Sequence, residues 1–254
     1  MIKIQGLEKS FGQNHVLRGV DLEINTGDTL TIMGGSGTGK SVLLKHIVGL
    51  MRPDAGTVSV DGVEISHLDE EKLFAVQKRF GYLFQGAALF DSLTVGENVA
   101  FGLWNLRPDL ARNWQDVAAK KLGLVGLGPE VLDLKPAELS GGMKKRVALA
   151  RAVAYEPDYV LYDEPTTGLD PIMSDVINDL ILELRQKLGV TAVAVTHDMK
   201  SAYKISSRIV MLYQGKIVAN GTPEEIQNTQ DPLVRQFISG SSHGPIQMQV
   251  KQYA

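Results

Sequence analysis

Eight consecutive residues constrain this chain more than any other stretch: Gly34-Gly35-Ser36-Gly37-Thr38-Gly39-Lys40-Ser41. They follow the apolar run Thr29-Leu30-Thr31-Ile32-Met33 and precede Val42-Leu43-Leu44-Lys45-His46-Ile47-Val48, which has helical spacing. The context is strand, glycine-rich turn, helix. In that context the pattern G-x-x-x-x-G-K-[ST] makes a phosphate-binding loop. The glycines let successive backbone N–H groups curl around an anion, and the helix N-terminus adds its positive dipole end. Lys40 is expected to reach the β- and γ-phosphates of a nucleotide, and the Ser41 hydroxyl to sit on Mg²⁺.

Composition bounds what surrounds that loop. With 44% hydrophobic and 22% charged residues, the 254-residue chain has apolar content for one large core or a core with a subdomain. A net charge of −3 carries no bulk attraction to nucleic acid. Cysteine is absent, which excludes disulfides, thiolate metal sites and cysteine nucleophiles. The opening Met1-Ile2-Lys3-Ile4-Gln5 lacks the apolar core of a signal peptide. No run approaches the roughly eighteen apolar residues of a membrane span, so the chain is expected to work at a membrane only through partners.

In chain order, residues 2–7 alternate as a half-buried strand, and residues 16–24 give more strand before the turn Asn25-Thr26-Gly27-Asp28. Phe11 falls on a polar loop with Gly12. It either stacks on a base or packs into the core, and the sequence leaves both open. Pro53-Asp54-Ala55-Gly56 opens a short hairpin over 57–60, with Asp61-Gly62 as its turn; 69–78 reads as helix. Residues 80–84 form a buried strand with Gln85 directly at its end. From about 90 to 136 the pattern is helical but broken by Gly102, Pro108, Gly123, Gly126, Gly128 and Pro129, which reads as an inserted helical subdomain. Ser140, a good N-cap, with Gly141 and Gly142 makes a second anion-binding helix terminus. The helix that follows carries Lys144, Lys145, Arg146 and Arg151, read as a solvated basic face.

Tyr159-Val160-Leu161-Tyr162 leads into Asp163-Glu164. Two carboxylates at the end of a buried strand are costly without a cation nearby. Mg²⁺ on a nucleotide supplies one, with Asp163 holding the metal and Glu164 orienting the attacking water. Residues 191–196 form another buried strand, ended by His197. Gln85, Asp163 and His197 thus share one topological position, outside the carboxyl ends of strands, where ligands of open α/β sheets gather.

The whole set resembles the ATP-binding cassette (ABC) ATPases over about residues 1–230. Phe11 matches the adenine-stacking aromatic, 34–41 the Walker A loop, Gln85 the Q-loop glutamine and 139–143 the signature motif. Residues 159–163 match Walker B, Glu164 the catalytic glutamate, Thr167-Gly168-Leu169-Asp170 the D-loop and His197 the switch histidine. The resemblance implies an α/β fold of the P-loop NTPase type: a mixed sheet core, an inserted helical subdomain and an N-terminal antiparallel β subdomain. The ATPase domain is expected over 1–240, with a C-terminal extension at 241–254. It also implies that Lys40, Gln85, Glu164 and His197 do the catalysis. Phe11, Gly34 to Ser41, Ser140, Gly141, Gly142 and Asp170 would contact ATP, and Ser41, Gln85 and Asp163 would hold Mg²⁺. Two stretches are similar to the ATPases of Mla/MCE-type phospholipid transport systems. One is Leu83-Phe84-Gln85-Gly86-Ala87-Ala88-Leu89-Phe90-Asp91-Ser92-Leu93-Thr94-Val95 followed by Glu97-Asn98-Val99-Ala100-Phe101. The other is a signature ending in Met143, where most cassettes carry a hydrogen-bonding glutamine.

The resemblance implies a head-to-tail homodimer in which Ser140 and Gly142 meet the γ-phosphate held by the partner's Lys40. It further implies integral-membrane permease subunits, an MCE-domain lipid-binding protein, and a cytoplasmic position on the inner face of the inner membrane. Two other readings stay open: an ATPase for another transported substrate, and a cassette ATPase acting without a permease. Long heptad coiled coils or a second cassette, which some permease-independent members need, are missing. Leu89 and Phe90 are expected to line a groove for a permease helix. In the tail, Gly240 to Pro245 reads as a flexible linker, and Ile246, Met248 and Val250 as an apolar stripe docking across the dimer.

Overall fold

The protein, in a computed structural model that describes residues 1–247, is built on two sheets. The larger takes β3 (Thr29–Met33), β6 (Phe80–Leu83), β7 (Tyr159–Asp163), β8 (Thr191–Thr196), β9 (Arg208–Tyr213) and β10 (Lys216–Gly221), in the spatial order β10-β9-β3-β8-β7-β6. All its pairings are parallel except β9 with β10, joined by Gln214 and Gly215, both at positive φ as a tight hairpin turn requires. Every residue of β3, β7 and β8 is buried, which is why these strands read as unbroken apolar runs: a parallel sheet is covered on both faces. Register makes the carboxyl ends level. Met33 pairs with Thr196, Asp163 with Val195, and Leu83 with Tyr162.

The smaller, antiparallel sheet has β1 (Ile2–Phe11), β2 (Asn14–Ile24), β4 (Ala55–Val60) and β5 (Val63–Glu64), in the order β2-β1-β4-β5. Between the sheets lies α1 (Lys40–Ile47), whose Leu43, Leu44 and Ile47 meet Ile4, Leu22 and Val58 on one side and Leu161, Val193 and Val195 on the other. Full burial of each such side chain contributes about 2 kcal/mol, so α1 is held as a wedge that fixes the loop preceding it. α2 (Glu70–Gln77), capped by the Asp69 carboxylate, follows on the surface.

The alternate residues of β7 and β8, Val160, Tyr162, Ala192 and Ala194, point to the opposite face and a second core. There they meet α7 (Gly141–Ala152) and α8 (Pro171–Leu188), after the intervening helices α3 (Val95–Ala100), α4 (Leu103–Leu106), α5 (Pro108–Ala111) and α6 (Trp114–Leu124). Those four helices and two 3₁₀ turns occupy the glycine- and proline-broken stretch. The stripe Ile177, Leu180, Ile181, Leu184 seats α8 on this core. The chain closes with α9 (Met199–Ile205), α10 (Pro223–Gln227) and α11 (Pro232–Ser239).

Two expectations are corrected here, and the start of the tail is placed. Phe11 is the last residue of β1, paired with Asn14, and not part of a loop. Leu89 packs against the second core, so only Phe90 of that pair faces outward. Ile246 turns back on its own chain: the Gln236 side chain accepts from its N–H at 2.6 Å and donates to its carbonyl at 3.0 Å. Met248 and Val250 lie outside the described residues. Among the described residues no helix is long and apolar enough to cross a membrane.

Candidate active site

β3 delivers the chain into the glycine loop, and α1 begins at Lys40. Two positions explain the glycines. At Gly39, with φ of 100°, a Cβ would stand 2.9 Å from Val16 Cγ1; at Gly34 it would stand 2.4 Å from the Leu212 carbonyl oxygen. The loop is thus pressed between β2 and β9. No side chain caps α1 and no acidic residue stands in its first turn, which leaves its leading N–H groups to an anionic ligand. Lys40 folds over the loop, donating to the carbonyls of Gly34 at 2.9 Å and Gly35 at 3.0 Å. Burial pulls its ammonium pKa down, against the nearby Glu164 and Asp163 carboxylates, which raise it.

The neighbouring strand ends complete the site. Ser41 at the head of α1 donates to Asp163 Oδ1 at 3.1 Å, and Tyr82 to Oδ2 at 3.3 Å. Burial first, then Asp163, drives the Tyr82 hydroxyl above its ordinary pKa, so it stays a donor. Glu164 adopts φ of +50° and is clamped by its surroundings: its N–H reaches Val195 O at 2.9 Å, and its Oε2 takes Thr167 Oγ1 at 3.0 Å and His197 Nδ1 at 2.8 Å. Ser36, Gly37, Lys40, Ser41, Gln85, Glu164 and His197 line one cleft of about 370 Å³. An adjoining hollow runs from Ser36, Gly37 and Thr38 to Asn14, His15 and Val16. Phe11, 48% exposed at the tip of the same hairpin, lines neither.

The donor set suits a hard divalent cation. The Ser41 hydroxyl, the Asp163 carboxylate and the Gln85 amide offer oxygen, and the first two already touch. Among the described residues there is no cluster of three or more acidic or histidine groups that would cage a metal alone. A magnesium ion fits as one held jointly by these oxygens and a nucleotide's phosphates.

Other expected residues stand apart. Ser140 caps α7, accepting from Met143 N–H at 3.3 Å, with Gly141 exposed beside it and Gly142 tucked under Met173. None of these three lines the cleft. Asp170 is occupied as the cap of α8, its carboxylate taking the N–H groups of Ile172 and Met173 at 3.0 Å each. The expected solvated face of α7 is not there. Lys145 is buried and donates to the carbonyls of Gln85 and, at 3.2 Å, Glu164; Arg151 donates to those of Ala87 and Ala88 at 2.6 Å each. Burial depresses the Lys145 ammonium pKa, with Glu164 and Asp163 opposing. A signal existed: Val147, Ala148, Leu149, Ala150 and Ala152 make α7 apolar around most of its girth, and such a helix is buried together with its charges.

Comparison with known proteins agrees with this geometry. The family model described as "ABC transporter" matches residues 17–167. The "Probable ribonucleotide transport ATP-binding protein mkl" of Mycobacterium leprae is 38% identical over 97% of this chain and 71% of its own length. The "Intermembrane phospholipid transport system ATP-binding protein MlaF" of Haemophilus influenzae is 39% identical over 97% of this chain and 93% of its own. Among solved structures, a dimeric ATP-binding cassette in a post-hydrolysis state, bound to ADP and Pi, superposes with a TM-score of 0.81 at 33% identity, covering 88% of this chain and 99% of that one. With the phosphate loop, Glu164 and the histidine assembled in one cleft, and relatives matched along nearly the whole length, the chain belongs to the ABC transporter ATPase family.

Proposed function

We propose that this ATPase drives a membrane permease that moves phospholipid between membranes, working as a homodimer that closes on ATP. The observation that carries the ATPase mechanism is the single cleft uniting Lys40, Ser41, Gln85, Glu164 and His197. In it, the glycine-loop N–H groups and Lys40 hold the phosphates; Ser41 and Gln85, with Asp163 beside Ser41, would hold Mg²⁺, which would neutralise phosphate charge. Glu164 orients water for in-line attack and accepts its proton, while His197, 2.8 Å from the carboxylate, fixes its rotamer and faces the γ-phosphate. Phe11 and the Asn14–Val16 hollow are the place for the base. Residues 1–240 form the working unit, the helices near 90–136 its permease-facing part, and 241–254 an extension.

Two features support the dimer. Ser140 and Gly141 are exposed at the start of α7, away from their own cleft, and Gly142 packs against Met173, whose N–H the Asp170 carboxylate holds, an arrangement that fits a site completed by a second copy. The cassette it resembles is itself dimeric. ATP between two copies then stabilises a closed state that hydrolysis releases.

The lipid substrate is supported by the MlaF relative and by the similarity over 83–95 and at Met143; partners of the Mla type, a permease and an MCE-domain protein at the inner membrane, follow from it. The mkl relative, named for ribonucleotides, is the competing reading. Reconstitution of the chain with its membrane partner in vesicles separates them. ATP-dependent transfer of labelled phospholipid is expected, without ribonucleotide uptake. The reverse result overturns the lipid reading and leaves the ATPase intact.

A further inference from the structure

The buried cations of α7 grip the backbone of two functional loops. Lys145, 5% exposed, donates to the carbonyl of Gln85 on the loop after β6 and, at 3.2 Å, to that of Glu164 on the loop after β7. Both loops are in conformations that side chains resist: Glu164 has φ of +50°, Ala87 +62° and Ala88 +48°. Left-handed backbone at non-glycine residues persists only where the surroundings hold it. Arg151, on the same helix, holds the carbonyls of Ala87 and Ala88 at 2.6 Å each. Lys145 does not line the nucleotide cleft and donates to no carboxylate. Its hydrogen bonds go to main chain alone, so what they control is where the attached side chains point.

We propose that Lys145 is a positioning residue for hydrolysis: it ties the Gln85 and Glu164 backbones to each other and to the helix that starts at Ser140. The Glu164 carbonyl is shared with the Thr167 N–H at 3.3 Å, and the Thr167 hydroxyl holds the carboxylate. Fixing the carbonyl therefore fixes the turn that aims the carboxylate. The same ammonium anchors the loop bearing the Gln85 amide, so movement of that loop reaches Glu164 through one side chain. This rests on the assignment of Glu164 as the carboxylate that acts on water.

The test is steady-state ATP hydrolysis by the purified full chain and its variants, with melting temperatures recorded. Lys145→Met keeps length and apolar stem but loses the donors; kcat is expected to fall at least tenfold with KM for ATP within twofold. Lys145→Arg, which restores donors, is expected to recover kcat to within about threefold. A purely structural lysine would not separate kcat from KM in this way. Lys145→Met keeping more than a tenth of wild-type turnover overturns the proposal, as does KM rising in step with the fall in kcat. Lys145→Leu, which also lacks donors, carries the same comparison where Lys145→Met does not fold. Glu164→Gln run in parallel keeps the two assignments apart: wild-type turnover there refutes the role of Glu164, whereas its inactivity beside an active Lys145→Met refutes only the role of Lys145.

Discussion

Replacing Glu164 by glutamine probes the site at its centre. The amide is isosteric, and its surroundings show what it keeps: Thr167 Oγ1 at 3.0 Å still finds an oxygen acceptor, and the backbone bond to Val195 at 2.9 Å is untouched. What is lost is the charge facing His197 Nδ1 at 2.8 Å and the ability to take a proton from water. A buried charged hydrogen bond contributes about 1.5–3 kcal/mol, but removing the charge also relieves its desolvation, so the net change in stability is about 1 kcal/mol or less. The chemical step suffers far more. A positioned general base accelerates by roughly 10²–10⁴-fold, which at about 1.4 kcal/mol per decade is about 3–5.5 kcal/mol of barrier. Phosphate release at saturating ATP should fall by that factor, while affinity for a fluorescent ATP analogue stays within about threefold. On size exclusion, the variant should accumulate as an ATP-bound dimer. Turnover within a few-fold of wild type refutes the assignment. A parallel collapse of nucleotide affinity would mean instead that Glu164 acts by holding its loop together.

Other sites give readings independent of chemistry. Asn98 is fully buried, accepts from Phe90 N–H at 2.8 Å and donates to the carbonyls of Phe90, Leu93 and Thr94, so Asn98→Ala should cost about 3 kcal/mol and lower Tm by roughly 6–12 °C in a calorimetric scan. Asp61 lies at the opposite end of the sheet from the cleft. Burial raises its pKa, but the Met1 ammonium, Tyr159 and Arg79 outweigh that and hold it at about 2. Its folded pKa being below the unfolded one, its stabilisation is present above about pH 4 and is lost as pH falls toward 2. With the side chain 35% exposed, solvent screening leaves about 1 kcal/mol; in denaturant titrations Asp61→Asn should remove that much at pH 7 and progressively less as pH falls toward 2, and in phosphate assays it should leave ATP turnover unchanged. Phe90, 43% exposed, packs on Phe101 with ring centroids 4.4 Å apart and the rings tilted by 36°, in an apolar groove with Phe84 and Tyr155. Phe90→Ala should leave Tm within about 3 °C and basal turnover intact, yet weaken permease association by pull-down; a large fall in Tm with intact assembly refutes this.

What could be read from sequence follows a physical divide. The phosphate loop was legible because strand, glycines, lysine and helix are contiguous, and their chemistry needs no distant partner. Gln85, Asp163 and His197 were legible because each follows an apolar run, and parallel pairing brings such ends level. The extent of β1 was not. Its pairing with β2 shifts register after Ile4, Leu7 and Lys9, so the two-residue alternation breaks near Leu7 although the ladder runs on to Phe11. Leu89 and Phe90 diverge, one inward and one outward, in a loop that has no period to reveal it. The charges of α7 were hardest, since the acceptors of Lys145 and Arg151 are backbone carbonyls, most of them 60 to 64 residues away. Every residue has a carbonyl, so such a contact leaves no mark on residue types. Its one trace is a charge on a helix whose buried apolar residues fall on every side. That concealment bears on the mechanism. Lys145 is five residues beyond Ser140 on one rigid helix, about 7.5 Å along its axis. In the proposed dimer, Ser140 answers to the nucleotide of one copy and Lys145 to the Glu164 of the other site, so a displacement of α7 is felt at both.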